Sequence, residues 1–319
     1  MTPRVRIFAP ASVSNLGPGF DVLGLALETP GDIVEAEIGD APGVQIVEVT
    51  GDGGLLTTDA STNVAGVAAS HVLQRVRSMS QERAVVGGVR LWLHKQMPLA
   101  SGLGSSGASS VAGAVAVNEL LGRPFSNRDL LGSAMEGERR ASGSPHADNV
   151  APALLGGIVL VRSYEPLEVL QLPVPQNLWV SVVHPHCEVA TAVARTLVAN
   201  RTYSIAQAVS NLGNLGAFVS ALYRGDLALL GRAVHDDLVE PARAHLIPGF
   251  HDVKKRALAS GALGCSIAGS GPSVFALCDD GQVAERVARA MQDGFQKDGR
   301  LSSDRFVGRA GAPGARRLG

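Results

Sequence analysis

The sequence lacks the charge excess and the cysteine content that mark nucleic-acid-binding and disulfide-stabilised proteins. Its 28 Lys and Arg residues are balanced by 29 Asp and Glu residues, so no basic patch for a nucleic acid is expected. Three widely spaced cysteines, Cys187, Cys265 and Cys278, are predicted to be free thiols in a reducing compartment.

The chain also has no long hydrophobic run. Its most apolar stretch, residues 111–117, is far shorter than the ~20 residues that cross a bilayer. No apolar signal core precedes the alternating segment at residues 5–9. These absences predict a cytoplasmic protein without a membrane partner.

Strand and helix patterns are interleaved along the 319 residues. Strands are predicted at residues 5–9, 33–38, 44–50, 89–95, 157–162, 178–184 and 273–278. Helices are predicted at residues 62–77, 106–121, 127–141, 205–223 and 227–239, the last between a cap at Asp226 and a stop at Pro241. The two strands between residues 33 and 50 are predicted to form a hairpin, and helices follow one another in pairs. This order favours an α+β fold over a doubly wound parallel sheet.

The length is typical of two domains. A boundary is predicted near Arg162, where a strand ends in a polar loop, so the domains would be residues 1–162 and 163–319. The terminal segment 308–319 is rich in Gly, Ala and Arg and is predicted to be frayed.

The most informative segment is a glycine-rich loop between a predicted strand and a predicted helix. Glycines let the backbone approach a bulky anion, and the helix N-terminus adds partial positive charge. The hydroxyls of Ser105 and Ser106 can donate to phosphate oxygens or reach a metal ion. We predict a phosphate-binding loop, with a tight turn of small residues as the alternative. Its residues are Pro98, Leu99, Ala100, Ser101, Gly102, Leu103, Gly104, Ser105, Ser106, Gly107 and Ala108.

The spacing Gly102-x-Gly104-x-x-Gly107 occurs in three unrelated folds, and the context argues against each. A dinucleotide-binding unit needs a second strand that ends in an acidic residue, whereas a second helix follows here. A Walker A loop needs a lysine that this loop lacks. A protein kinase needs further motifs downstream, and none is found.

The loop resembles the central phosphate-binding motif of the GHMP kinases, which are named for galactokinase, homoserine kinase, mevalonate kinase and phosphomevalonate kinase. Residues 9–24 (APASVSNLGPGFDVLG) resemble the first motif of that family, and residues 267–277 (IAGSGPSVFAL) resemble the third. The three motifs keep the family's order, so the resemblance covers nearly the whole chain. It implies the two-domain GHMP kinase fold, with a ribosomal protein S5 domain 2-like N-terminal domain and a ferredoxin-like C-terminal domain.

Residues 15–21, 144–157, 191–195 and 240–249 further resemble the branch of the family that phosphorylates homoserine. That resemblance implies L-homoserine as the substrate, ATP and Mg²⁺ as cofactors, and a step in threonine biosynthesis. It also suggests a homodimer. No residue stands out as a strong general base, so direct attack by the substrate hydroxyl is expected.

Glu138 shares a face of its predicted helix with Leu131 and Met135. Because burying a carboxylate alone is costly, a partner is expected, either a nearby arginine or Mg²⁺. The resemblance implies that Glu138 binds Mg²⁺ with Ser106 nearby.

The spacing around Asn149 predicts a helix cap. The resemblance implies instead that Asn149 contacts the hydroxyl being phosphorylated and that His146 helps to hold the substrate. Thr191, which shares a helix face with Arg195, is predicted to join Asn149, Glu138 and Ser106 as a catalytic residue.

Two arginines, Arg195 and Arg243, suit a planar carboxylate, which a guanidinium binds with two hydrogen bonds. Asp21 and Asn15 are the expected partners of the homoserine ammonium. A kinase of the mevalonate pathway is one alternative, but its substrate has no ammonium to explain Asp21. A non-catalytic nucleotide-binding regulator is the other, and the joint presence of Glu138, Ser106 and Asn149 argues against it.

Overall fold

The computed structural model describes residues 4–79 and 87–319. The strands in this part of the chain are β1 Val5–Asn15, β2 Gly19–Gly39, β3 Gly43–Thr50, β4 Gly88–His94, β5 Ile158–Tyr164, β6 Leu167–Leu172, β7 Trp179–Pro185, β8 Gly264–Ile267, β9 Val274–Cys278, β10 Ser303–Arg309 and β11 Arg316–Arg317. The α-helices are α1 Val64–Met79, α2 Ser105–Leu120, α3 Asn127–Ser142, α4 Ala147–Leu155, α5 Thr191–Ala199, α6 Ile205–Arg224, α7 Leu227–Ala233, α8 Glu240–Arg243, α9 Phe250–Ala259 and α10 Gly281–Gly294.

The larger sheet has the order β11-β1-β2-β4-β3, and the long strand β2 also pairs with β5, which pairs with β6. Helices α2 and α4 pack on strands β1 and β2, and α1 and α3 pack on α2. Only small and apolar residues fill α2 from Val111 to Val117, all of them buried, which lets the helix lie in the centre of the domain. Segregated sheets and helices confirm the α+β class.

The predicted hairpin between residues 33 and 50 is wrong. Strand β4 lies between β2 and β3, pairing antiparallel with β2 and parallel with β3. The physical reason is burial, because β4 carries the buried Val89, Leu91 and Leu93 and needs neighbours on both edges. Strand β3 is mostly half-exposed and takes the edge of the sheet.

The smaller sheet is antiparallel, with the order β10-β7-β9-β8. Its alternating side chains serve two cores. Val182 and Phe275 join the core of the larger sheet, whereas Ile267, Val274 and Ala276 face a second core under α9 and α10. The sheet therefore lies between the core of the larger sheet and helices α9 and α10, and its β8–β9 turn brings the third motif to the glycine-rich loop.

The predicted end of the helix at residues 227–239 and the predicted role of Pro241 both need correction. The helix predicted at residues 227–239 does begin at the Asp226 cap, but it ends at Ala233. The Asp236 carboxylate accepts from the backbone N–H groups of Leu238, Val239 and Glu240, which starts the separate helix α8 with Pro241 in its first turn. Pro241 therefore opens a helix and does not stop one.

The segment 308–319 is not frayed. Strand β11 pairs with β1, and the backbone N–H of Ala315 donates to the Ala153 carbonyl. The C-terminus thereby supports the end of α4. The division between residues 162 and 163 stays a prediction; the larger sheet continues through β6 and includes β11. None of the helices within residues 4–79 and 87–319 is long and apolar enough to span a membrane.

Candidate active site

A cavity of about 480 Å³ lies where the three sequence motifs meet. Most of the predicted site residues line it, namely Asn15, Asp21, Leu99, Ala100, Ser101, Gly102, Gly104, Ser105, Ser106, Glu138, His146, Asn149, Thr191, Arg195 and Arg243. Four residues of the predicted phosphate loop do not. Leu103 and Ala108 are buried in the core, Pro98 lines a neighbouring surface groove, and Gly107 packs against Asn149.

The glycine-rich loop has the geometry of an anion-binding site. Gly104 adopts a left-handed conformation as the N-cap of α2, and a Cβ there would lie 2.3 Å from the Ser12 Oγ. A Cβ on Gly102 would lie 2.6 Å from two carbonyl oxygens of the third motif. The first backbone N–H groups of α2, at residues 105–107, have no partner within the helix. They point out of a helix N-terminus, where an anion is favoured.

The third motif holds the loop in place. The Ser273 hydroxyl donates to the Ser101 carbonyl at 2.7 Å, and the buried His184 Nδ1 contacts the same hydroxyl at 3.1 Å. Asn15 of the first motif donates from Nδ2 to the Gly269 carbonyl at 2.9 Å. All three motifs are thus connected by hydrogen bonds, which explains how distant segments build one cavity.

A chain of polar contacts crosses the cavity from Glu138 to Asp21. Glu138 Oε1 lies 3.3 Å from His146 Nδ1, and His146 Nε2 lies 2.7 Å from Arg195 Nη2. The same Arg195 nitrogen donates to both carboxylate oxygens of Asp21 at 3.0 Å. Glu138 is buried on the apolar face of α3, as its spacing predicted, and its carboxylate contacts the ring of His146 there.

The contacts of His146 define its protonation. A guanidinium only donates, so His146 Nε2 accepts from Arg195 and Nδ1 carries the proton given to Glu138. Burial acts to lower the pKa of His146, but the hydrogen bond with Glu138 and the charges of Asp148 and Glu138 leave that pKa above its usual value. Full protonation of the ring would require Arg195 to move away.

The two predicted carboxylate-binding arginines differ in environment. Arg243 is buried, and it donates from Nε to the Ala194 carbonyl at 3.2 Å and from Nη1 to the Gly269 carbonyl at 3.1 Å. Arg195 is more than a third exposed. Both guanidinium groups lie near the ring of Phe20, at 5.2 and 5.6 Å. The two arginines therefore form a positively charged side of the cavity next to Asp21.

Asn149 does not cap α4, because the helix already begins at Ala147. Its Oδ1 instead lies 3.4 Å from the Ser12 Oγ and against Gly104. Asn149 therefore faces the phosphate loop. Thr191 begins α5, and its hydroxyl lies 3.3 Å from that of Ser270.

Three charged residues in the cavity or next to it were not predicted as site residues. Asp148 is 1% exposed, and its Oδ1 has no hydrogen-bond partner in the described part of the chain. Burial, and then the charge of Asp21, raise the pKa of Asp148 to about 7. The other two are Lys95 and Asp32, which form a buried ion pair beneath the phosphate loop. Burial lowers the pKa of Lys95, and the charge of Asp32 opposes that shift.

The donor set suits a cation that is shared with phosphates. No cluster of three or more His, Cys, Asp or Glu side chains within residues 4–79 and 87–319 could hold a metal ion alone. The Glu138 carboxylate and the Ser106 hydroxyl do line one cavity beside the phosphate loop. Mg²⁺ typically takes one or two carboxylates and completes its shell with phosphate oxygens and water.

Two family models match this chain, the GHMP kinases N terminal domain over residues 64–157 and the GHMP kinases C terminal over residues 218–297. The chain therefore belongs to the GHMP kinases. It is 46% identical over 306 residues to a homoserine kinase of Chlorobium phaeobacteroides, across 94% of this chain and 95% of that protein. Within the GHMP kinases it belongs to the homoserine kinase family.

Two further relatives agree with this placement. A homoserine kinase of Arabidopsis thaliana is 42% identical over 318 residues, across 98% of this chain and 84% of that protein. The crystal structure of homoserine kinase from Cytophaga hutchinsonii superposes with a TM-score of 0.93 at 47% identity, covering 100% of this chain and 98% of that one. These likenesses also confirm the GHMP kinase fold that the motifs implied.

Proposed function

We propose that this protein transfers the γ-phosphoryl group of ATP to the side-chain hydroxyl of L-homoserine, giving ADP and O-phospho-L-homoserine for threonine biosynthesis. The observation that carries the proposal is the joint composition of one cavity. A helix N-terminus suited to phosphates faces an acid and two arginines suited to an ammonium and a carboxylate. Homoserine has both of these groups and the hydroxyl.

The residues of the cavity would bind different groups of ATP and homoserine according to charge. The loop from Leu99 to Ser106 would bind the ATP phosphates through backbone N–H groups and serine hydroxyls. Asp21 and Asn15 would accept the substrate ammonium, and Arg195 and Arg243 would bind its carboxylate. Phosphoryl transfer depends mainly on such alignment and on neutralising charge.

Asn149 would orient the attacking hydroxyl. Its position against Gly104 places its amide at the mouth of the phosphate loop. His146 would hold the substrate end of the cavity through Arg195, and Thr191 would contact the transferring group from α5. The hydroxyl would attack directly and lose its proton late in the reaction.

Glu138 and Ser106 would hold Mg²⁺, which supplies charge neutralisation at the transferring phosphoryl group when bound. His146 keeps the Glu138 carboxylate oriented through the contact at Oε1. Family membership suggests a homodimer, which light scattering would measure. The free cysteines agree with a cytoplasmic location.

The decisive experiment measures ADP release with L-homoserine, with R-mevalonate and without an acceptor, each with Mg²⁺ and ATP. Phosphorus NMR identifies the product. We expect turnover with L-homoserine and formation of a phosphate monoester on its hydroxyl. Turnover with mevalonate instead would make the protein another GHMP kinase. Nucleotide binding without turnover of either substrate would indicate a regulator.

A further inference from the structure

The structure assigns a positioning role to the buried ion pair beneath the phosphate loop. We propose that Lys95, held by Asp32, orients the hydroxyl of Ser105 so that its proton points into the cavity and donates to a nucleotide phosphate oxygen. The inference rests on the proposed function, because it assumes that the loop binds ATP.

The pair is unusual in its burial. The side chains of Lys95 and Asp32 are 2% and 0% exposed. Removing two charges from water costs several kcal/mol per ion, and a well-packed apolar pair of similar volume is often as stable. The stability of the fold alone therefore gives a weak reason for an ion pair at this position.

The hydrogen bonds around Lys95 account for all three ammonium protons. Nζ contacts Asp32 Oδ2, Ser105 Oγ at 2.6 Å and Ser109 Oγ at 2.9 Å, and it makes a longer contact of 3.3 Å with the Ser105 carbonyl. Asp32 is equally occupied, since it also accepts from the Ser109 hydroxyl at 2.7 Å and from the backbone N–H of Gln96 at 3.1 Å. The ammonium therefore has one orientation that satisfies its three close partners, Asp32 and the two serine hydroxyls.

The two serines differ in where their own protons go. Ser109 gives its proton to Asp32, so that hydroxyl is directed inward. Ser105 accepts from Lys95, and no acceptor for its own proton lies within residues 4–79 and 87–319. Ser105 lines the cavity as the first residue of α2. Its proton is therefore directed to the place where the N-terminal amides of the helix also point.

Lys95 borders the cavity, but its side chain is only 2% exposed and its ammonium protons point to Asp32 and the two serines, so it acts on a phosphate through Ser105. A hydroxyl that accepts from a cation is a stronger donor through its remaining proton, because hydrogen bonds polarise one another in a medium of low dielectric. The loop itself lacks the lysine of a Walker A motif. Here the lysine lies one layer below and acts on the phosphates through a serine.

The test replaces the charges as a pair. The double variant Lys95→Met with Asp32→Asn leaves no unpaired buried charge, so we expect it to fold, whereas Lys95→Met alone should be strongly destabilised. In the double variant the KM for ATP should rise about tenfold or more, from the loss of one ordered donor to a charged group. The KM for L-homoserine should change by less than about threefold, within the spread of small context effects.

Two serine variants sharpen the test. Ser105→Ala should raise the KM for ATP about as much as the double variant, and adding it to the double variant should cause no further rise. Ser109→Ala is the matched control, because Ser109 also contacts Lys95 but turns its proton inward; its effect on the KM for ATP should be smaller. If the double variant does not fold, equal effects of the two serine variants on the KM for ATP would still overturn the inference.

A surface ion pair provides a second control. Arg256→Met with Asp298→Asn removes a pair of 2.8 Å that lies outside the cavity, and both KM values should stay unchanged. A stable double variant with a wild-type KM for ATP would overturn the inference, as would equal effects of Ser105→Ala and Ser109→Ala. A wild-type protein without homoserine turnover would instead refute the proposed function, so the two failures are distinguishable.

Discussion

The Asp21→Asn substitution separates substrate recognition from folding. The Asp21 carboxylate accepts two hydrogen bonds of 3.0 Å from Arg195 and is the expected partner of the homoserine ammonium. Asp21 has a φ of 59°, in the left-handed region. Asparagine adopts that conformation about as readily as aspartate, so the substitution removes the charge without adding backbone strain.

Two magnitudes follow from the geometry. The side chains of Arg195 and Asp21 are 37% and 30% exposed, and a pair of that exposure contributes about 0–1 kcal/mol to folding. A hydrogen bond to a charged group contributes about 1.5–3 kcal/mol, so losing it to the ammonium corresponds to roughly a 10- to 150-fold loss of affinity. We therefore expect a large effect on substrate use and a small effect on stability.

Initial rates measured against each substrate at saturating levels of the other give both KM values, and urea unfolding gives the stability. The KM for L-homoserine should rise by the factor above, while the KM for ATP should stay close to that of the wild type. Equal rises in the two KM values would refute the placement of the ammonium. A loss of unfolding free energy above about 2 kcal/mol would show that the Asp21–Arg195 pair is mainly structural, because exposed pairs do not contribute that much.

Four further substitutions test the remaining charges. Glu138→Gln keeps an oxygen that accepts from His146, so we expect a Tm near that of the wild type but a kcat about a hundredfold lower or more, because Mg²⁺ binding is lost. A thermal shift assay measures the Tm and a turnover assay measures the kcat. A destabilised variant with normal kcat would remove Glu138 from the metal site. Both Arg195→Lys and Arg243→Lys should raise the KM for L-homoserine. Only Arg243→Lys should destabilise the fold, by about 1–3 kcal/mol, because lysine cannot make both buried hydrogen bonds to the Ala194 and Gly269 carbonyls. Equal unfolding free energies of the two variants would contradict this. The pKa of Asp148 is raised to about 7, so the stability that its neutral form contributes is complete below about pH 4 and is lost as the pH rises to 7. Urea unfolding at pH 4 and pH 8 should show the wild type losing up to about 4 kcal/mol relative to Asp148→Asn, and parallel pH dependences would contradict the raised pKa.

Local sequence patterns correctly predicted the helices and strands whose boundaries are set by nearby residues. The helices predicted at residues 106–121 and 127–141 are found almost as predicted. The first is followed by the left-handed Gly122 and the second begins with the capping box of Ser126 and Asp129, signals that each lie within one turn of helix. Strands β6, β8, β10 and β11 were missed. Strands β8 and β11 have four and two residues, too few for a pattern of alternation, and β6 and β10 are mostly exposed or half-exposed without a regular alternation of buried positions. They form because a neighbouring strand has free backbone N–H and C=O groups along its edge. The position of that neighbouring strand cannot be predicted from a short stretch of sequence.

The error in sheet order explains why the buried ion pair was missed. In the antiparallel pairing of β2 and β4, Ile33 lies opposite His94, which brings Asp32 beside Lys95 one position further on. The predicted hairpin placed β3 next to β2 and left both charges without an expected partner. A lysine at a strand end normally extends into solvent. Only the order of the strands shows that this one is enclosed.

The charges of the proposed substrate site are paired with one another in the structure without homoserine. Arg195 binds Asp21 and His146, so the anion, the cation and the imidazole form a connected set. A zwitterion can enter such a set without leaving a charge unpaired, because its ammonium replaces Arg195 at Asp21 while its carboxylate takes the guanidinium. An analogue with only one of the two groups would separate Asp21 from Arg195 and compensate only one of them. The site is therefore expected to bind amino acids more tightly than simple alcohols. An analogue that lacks the ammonium or the carboxylate would leave Asp21 or Arg195 without a charged partner, and this would lower its affinity.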